Sequence, residues 1–318
     1  VTSLDMIAAV LTSALLGQSI TVKTVRVQSE FRVLSLCAGA TGSTFFASLE
    51  DKSIRLMDAA NGNTRLVFSG HPQPVYALAV NPKGTIMASG DESARVWLWD
   101  LKKGAKLREF TRTNAHTRGI ISASFSADGK QLLTAGRDDF LVIWDVATGK
   151  PIKKIPGNGD NVAGGVYSPK GGFFCATLGK GVMVNRSGAT KFWGGHSGRG
   201  VTDFAVDRKG TRGISGGNDQ KVTFWDLASG KALATGGSHD DMVIKVAMAP
   251  NGAVGASSSV DREVFLWSAK GQKIGRISDQ SAIGSPLAFT ADGKYLLTSN
   301  VSDSLQTNLI SPPQASKK

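Results

Sequence analysis

The sequence predicts an all-β fold, a seven-bladed β-propeller of four-stranded antiparallel blades, closed by the N-terminal strand in the last blade. Three observations carry this. Tryptophan-acid pairs close β-rich runs: VWLWD ends at Asp100, LVIWD at Asp145 and VTFWD at Asp226, with IRLMD ending at Asp58 and VFLW at Trp267. From Asp58 to Asp100 is 42 residues, from Asp100 to Asp145 is 45, and from Asp145 to Asp226 is 81, about two periods. Second, turn glycines recur out of phase with these pairs, at Gly42, Gly84, Gly129, Gly171, Gly210, Gly252 and Gly293, spaced 42, 45, 42, 39, 42 and 41. Two markers sharing one period define seven repeats. Third, the last repeat lacks one strand and the N-terminal region has one to spare.

The elements follow in chain order. Met6 to Leu16 reads MIAAVLTSALL, followed by Gly17-Gln18-Ser19. An apolar run before small residues has the form of a secretory signal peptide, although no Lys or Arg precedes it and Asp5 has the wrong sign. Residues 1–19 are therefore expected to be a signal peptide, which places the mature chain outside the cytoplasm, periplasmic or secreted; uncleaved, it would be cytoplasmic. The bland alternative is a short helix packed on the domain. Residues 20–312 are expected to be the propeller. Ile20–Val27 alternates apolar and polar residues, as an outer strand should. Each repeat then reads as four short strands with turn residues between them. In the third these are Ile120–Phe125, Gln131–Ala135, Phe140–Trp144 and Pro151–Ile155. A four-stranded sheet cannot bury both faces alone; seven stacked radially can. In the last repeat only Pro286–Phe289, Tyr295–Ser299 and Leu305–Ile310 are strand-like. Pro312-Pro313 stops the chain before a 313–318 tail, and Ile20–Val27 supplies the missing strand.

The Gly-His before the first strand and the Trp-Asp after the third resemble WD40-repeat β-propellers, with turns such as FSADGKQLLTAG similar to bacterial members. The resemblance covers about residues 20–310. It implies a buried set of His, Ser or Thr, Asp and Trp in each complete repeat. Aligned on the turn glycine and the tryptophan, repeat three supplies His116, Thr134, Asp138 and Trp144. Repeat five supplies His196, Ser215, Asp219 and Trp225, and repeat six His239, Ser257, Asp261 and Trp267. Such groups can satisfy one another where water is excluded. Repeat two has His71, Ser89 and Trp99, but Ser93 where the acid belongs. Repeat one has Asp51 with Ala47 and Met57. Repeat four has Ala176, Lys180 and Arg186, and repeat seven Thr298, Ser302 and Asn308.

The chain is 41% hydrophobic and 19% charged, which argues for a globular protein. Two cysteines exclude a disulfide framework and a four-cysteine zinc site; Cys37 and Cys175 are expected in distant blades as free, buried thiols. All four histidines, His71, His116, His196 and His239, hold one repeat position in different blades, too far apart to share a metal. Asp51, Asp138, Asp219 and Asp261 recur likewise. No nucleophile elbow, P-loop or HExxH occurs, and the glycines at 157–159 and 164–165 lack the lysine of a phosphate cradle. No catalytic residue, cofactor or metal is implied.

The formal charge is +12. Lys102, Lys103, Lys106 and Arg108 lie around the outer strand of repeat two, and Lys150, Lys153 and Lys154 around that of repeat three. They form a candidate basic rim, which also discourages edge-to-edge aggregation. An anionic surface or polymer is its functional partner; no aromatic residues interleave for nucleic-acid stacking and no specific nucleic-acid motif occurs. Partner binding on the WD40 pattern would use one disc face, through residues just before the first strand and just before the acid: Arg118, Arg199, Asp241 and Met242, with Glu50, Glu92, Arg137 and Asn218. The expected function is a non-catalytic, protein-binding scaffold. The alternatives are an anion-binding propeller using the rim, or an extracytoplasmic propeller enzyme of lactonase or quinone-dependent dehydrogenase type. The enzyme would need acids, histidines or a metal converging on the channel.

Overall fold

The computed structural model of the chain describes residues 9–11, 20–27, 31–157, 161–186, 188–197, 200–278, 280, 286–300 and 304–311. Their strands form seven antiparallel sheets, six of them four-stranded. Blade three runs outward from the axis as Ile120–Phe125, Gln131–Gly136, Phe140–Asp145 and Pro151–Pro156. Blade seven is built from both ends of the chain. Ala288–Phe289, Tyr295–Ser299 and Leu305–Ser311 are joined by Thr21–Val27, paired in register from Thr21 opposite Ser311 to Val27 opposite Leu305. A further strand, Ala9–Leu11, pairs outside Thr21–Val27, giving this sheet five strands where four were expected. The rest of the expected signal peptide, residue 312 with the tail 313–318, Arg199 and Ser302 lie outside the described residues.

The seven turn glycines that set the repeat all have positive φ, between 62° and 92°. That left-handed backbone lets a hairpin reverse in few residues, and a side chain would be strained there. Between turns, period-2 alternation sends one row of side chains into each blade-to-blade seam. Seven apolar clusters result, each mixing residues of two neighbouring blades. Trp144, Phe110, Leu98 and Ala88 close the seam between blades two and three. At about 25 cal/mol per Å², one fully buried aromatic contributes roughly 4–6 kcal/mol gross before entropic costs.

A recurring irregularity shapes the axis. In blades one to six the innermost strand begins with a bulge, at Leu34, Tyr76, Ile121, Ala163, Thr202 and Ile244. A bulge re-aims its side chain and bends its strand. These six residues all line the wide mouth of the central channel, a cavity of about 980 Å³.

Candidate interaction face

The blade sets come first, because they fix the loops that form the face. In blade three the Trp144 Nε1–H donates to Thr134 Oγ1 at 2.7 Å. That hydroxyl lies 2.9 Å from His116 Nε2, and His116 Nδ1 lies 2.8 Å from Asp138 Oδ1. A carboxylate only accepts, so Nδ1 carries the proton and Nε2 accepts from the hydroxyl. Every group is then satisfied with a neutral imidazole. Burial pushes the Asp138 carboxyl up, but hydrogen bonds from His116 and the Thr117 N–H outweigh this and hold it at about 2. Blade five repeats the chain through Trp225, Ser215, His196 and Asp219, each step 2.8 Å. Blade six does so through Trp267, Ser257, His239 and Asp261 at 2.8, 2.7 and 2.8 Å. Burial lowers the His239 pKa against the opposing charge of Asp261, which favours the neutral form.

Three departures from the sequence alignment have physical reasons. In blade two the set is complete: Asp91 Oδ2 lies 3.0 Å from His71 Nδ1, and Ser89 Oγ 2.7 Å from both His71 Nε2 and Trp99 Nε1. Ser93, which holds the usual acid position, instead donates its Oγ–H to Asp91 at 2.9 Å. Residues two apart share a strand face, so the Ser89-x-Asp91 spacing was the missed signal. Blades three and five have Gly136 and Gly217 where blade two has Asp91. A Cβ at either would come within 2.4 Å of the histidine Nδ1, so glycine there leaves room for an acid arriving from the turn.

In blade four the alignment slips by one residue, because the turn after Tyr167 is one residue shorter ahead of the second strand. By strand register, Cys175, Gly179 and Asn185 hold the places assigned to Ala176, Lys180 and Arg186. The set is still absent. Blade seven substitutes amides. Gln280 stands at the histidine position and donates to Gln306 Oε1 at 3.0 Å, which also accepts from Thr298. Asn308, at the tryptophan position, donates to Thr298 Oγ1 at 3.2 Å and accepts from Thr24 of the closing strand at 2.7 Å.

These anchors hold a ring of loops. The backbone N–H before the acid position donates to the carbonyl just ahead of the innermost strand. The pairs are Glu50 to Arg32, Glu92 to Pro74, Arg137 to Gly119, Leu178 to Asn161, Asn218 to Gly200 and Val260 to Met242. Glu50, Glu92, Arg137 and Asn218 therefore do occupy one recurring position, and the shifted blade-four alignment concealed Leu178 at the same place. Arg137, Leu178, Asn218 and Met242 line the channel mouth, with Tyr76 and Lys245. The Arg137 guanidinium lies 3.4 Å from Glu92 and 5.6 Å from the Tyr76 ring centre, which ties blades two and three together. Lys245 lies 3.7 Å from Asp203 between blades five and six. Arg118 and Asp241 are exposed beside the mouth. The exposed apolar residues Leu178 and Met242, with Phe31 nearby in sequence to Arg32, make this face more apolar than its charged candidates suggested.

The rim is less available than its composition implied. Lys106 Nζ sits 3.7 Å over the Trp97 ring, and Arg108 donates to the Ala147 carbonyl. Lys154 donates to the Ala115 carbonyl at 2.8 Å and lies 3.7 Å from Asp138. Lys102, Lys103, Lys106, Arg108, Lys150 and Lys153 are exposed, and Lys154 is half-buried. Cys37 and Cys175 form no disulfide with each other; Cys175 is buried, whereas Cys37 is half-buried, its thiol pushed up to about 11 by burial. Among the described residues no three His, Cys, Asp or Glu side chains converge as a metal site requires, and no helix is long and apolar enough to cross a membrane.

The family profile "WD domain, G-beta repeat" matches residues 62–100, 106–145 and 188–226. The chain is similar to nuclear distribution protein nudF of Aspergillus niger, 25% identical over 274 residues, which are 78% of this chain and 52% of that protein. It is 24% identical over 218 residues to the serine-threonine kinase receptor-associated protein of Mus musculus, covering 68% of this chain and 61% of that one. Among solved structures, that of the RRP9 WD40 repeats superposes with a TM-score of 0.77 at 19% identity, covering 95% of this chain and 100% of that one. That likeness shows the fold alone. The chain spans about half the length of the first of these relatives.

Proposed function

Starting from a chain that belongs to the WD40-repeat β-propellers, we propose that it is a non-catalytic scaffold whose protein partner docks on the loop ring around the wide channel mouth. The observation that carries this is the mosaic there. Exposed Leu178 and Met242 stand on the same hydrogen-bonded loop ring as the Glu92–Arg137 pair. Apolar anchors beside fixed charges are what a specific protein interface uses. The histidines and acids an enzyme would need at the channel are engaged inside the blades instead.

The test combines Arg137→Ala, Leu178→Asp and Met242→Asp in one variant, with cross-linking in the native cells and mass spectrometry of what is captured. A protein captured by the parent chain and lost from a variant with an unchanged melt supports the reading. Identical capture by both overturns it. The Met6–Ser19 pattern adds an extracytoplasmic address. Removal through Ser19 would keep the seven-residue pairing of Thr21–Val27 and take away only the edge strand Ala9–Leu11. N-terminal sequencing from the native source should find Ile20 or a residue close to it first; a chain that retains Met6 would refute this.

A further inference from the structure

The opposite end of the channel has a different character. The hairpins joining first to second strands meet there and touch around the axis. Gly42 O accepts from the Asp292 N–H at 3.2 Å, Ser43 Oγ donates to Asp292 at 2.6 Å, and the Arg208 N–H donates to Pro250 O at 3.1 Å. They enclose a funnel of about 580 Å³ whose wall includes Pro82, Pro169, Pro250 and Tyr167. Exposed at the turn tips stand Lys83, Lys130, Lys170, Arg208, Lys209 and Lys294.

The acids of these same turns brace them, Asp207 buried and Asp128 and Asp292 exposed beside the cations. Asp128 accepts from Ser126 Oγ at 2.7 Å and the Lys130 N–H at 3.0 Å; Asp207 is buried and accepts from Thr211 at 2.6 Å. Asp292 accepts from Ser43 and Thr290, each at 2.6 Å. Their hydrogen bonds hold the turns and leave the carboxylates negative, but the six projecting cations outnumber these three acids. On the wide-mouth face, by contrast, exposed Glu50, Glu92 and Asp241 are interleaved with Arg118 and Arg137. The two faces therefore differ in sign balance, and a low-dielectric funnel with an excess of one sign at its rim concentrates the field.

We propose that this second face binds an acidic, extended segment of a protein partner, with carboxylates on the cationic ring and one apolar side chain in the proline-lined funnel. A flat lipid surface or a nucleic-acid duplex would meet the ring but leave the funnel unfilled, so the cavity favours a peptide. The inference stands on residues separate from those of the opposite face, so either proposal can fail alone.

The probe is a short fluorescein-labelled peptide of glutamate and aspartate around one central leucine, titrated by anisotropy against the full chain at low and physiological salt. Binding should weaken with salt. It should fall roughly tenfold or more in a Lys83→Glu, Lys170→Glu, Arg208→Glu variant. Replacing the leucine of the peptide by serine should weaken it several-fold. A Lys52→Glu, Lys221→Glu variant on the other face should bind as the parent does, and thermal melts confirm that each variant folds. Absence of binding at low salt, equal binding by the ring variant, or tighter binding of phosphatidylserine vesicles or polyuridylate than of the peptide would each overturn the proposal.

Discussion

Blades three and four adjoin and share one strand order, yet they are held in different ways. Blade three is tied internally by the chain from Trp144 through Thr134 and His116 to Asp138. Blade four has Cys175 and Asn185 in the corresponding places and leans on its neighbour. Phe174 stacks on Phe204 with centroids 5.1 Å apart, and Trp193 on Trp225 at 5.5 Å. The Arg186 guanidinium lies 5.6 Å from the Phe174 ring centre and 5.7 Å from that of Trp193, and reaches the Leu227 and Ala228 carbonyls of blade five. The polar set is thus a reinforcement inside a blade and not a condition for forming one. Turn glycines and strand alternation make the blade; seam packing can hold it.

The contrast predicts its largest effect at the tryptophan position. Trp144→Ala should cost about 3–5 kcal/mol, from the lost buried volume and an unsatisfied Thr134 and His116. Asn185→Ala, at the equivalent place in blade four, should stay within about 0.5 kcal/mol. Denaturant melts decide this, and equal midpoints would erase the distinction between the blades.

Blade two should behave like blade three, since Asp91 completes its set. Asp91→Asn should cost about 1–3 kcal/mol, because the amide cannot accept all the bonds the carboxylate does inside a buried site. Ser93→Ala should cost less than about 1 kcal/mol, as it removes one bond to Asp91. If the two variants melt alike, the acid position of blade two is Ser93's turn after all.

Acid should loosen the blades that carry these sets first. The folded Asp138 carboxyl lies at about 2, below its ordinary 3.8. Its contribution is present above about pH 4 and is lost as pH falls toward 2, on the order of 1–2 kcal/mol once solvent screening is allowed for. The His239 shift has the same sign. Its folded pKa is depressed, so the unfolded chain takes up a proton first and stability falls as pH drops below 6.5. Hydrogen exchange at low pH should show amides of blades three and six losing protection before those of blade four; the reverse order would break the comparison.

Much of the fold was legible because its signals are backbone ones. A positive-φ turn needs glycine, and a half-buried strand needs alternation, so both leave a periodic trace wherever the fold repeats. The sets of blades three, five and six were readable as spacings for the same reason. Asp91 was not, because hydrogen-bond geometry accepts a carboxylate from the strand as well as from the turn, and a fixed spacing tests only one route. Gln280 and Asn308 were missed as a network because amides replace both the imidazole and the indole. Leu178 and Arg186 were misplaced by one missing residue in the turn after Tyr167, which no periodicity marks. The candidate face was legible only as positions: which side chains reach the channel mouth depends on bulges at Tyr76 and its equivalents, and a bulge has no sequence signature there.

Arg186 offers the smallest and most discriminating test. The ungapped alignment made it a degenerate tryptophan position with nothing to hold. The structure instead places it on two aromatic rings and two carbonyls at the seam between blades four and five. Arg186→Ala should therefore cost about 1 kcal/mol, the range of a partly exposed cation on an aromatic face. A double-mutant cycle with Trp193→Ala should give a coupling of about 0.5–1 kcal/mol. The same cycle between Arg186 and Trp144, which share no contact and belong to different seams, should be additive. Zero coupling to Trp193 would mean that blade four rests on its apolar contacts alone, and that the guanidinium merely lies over them.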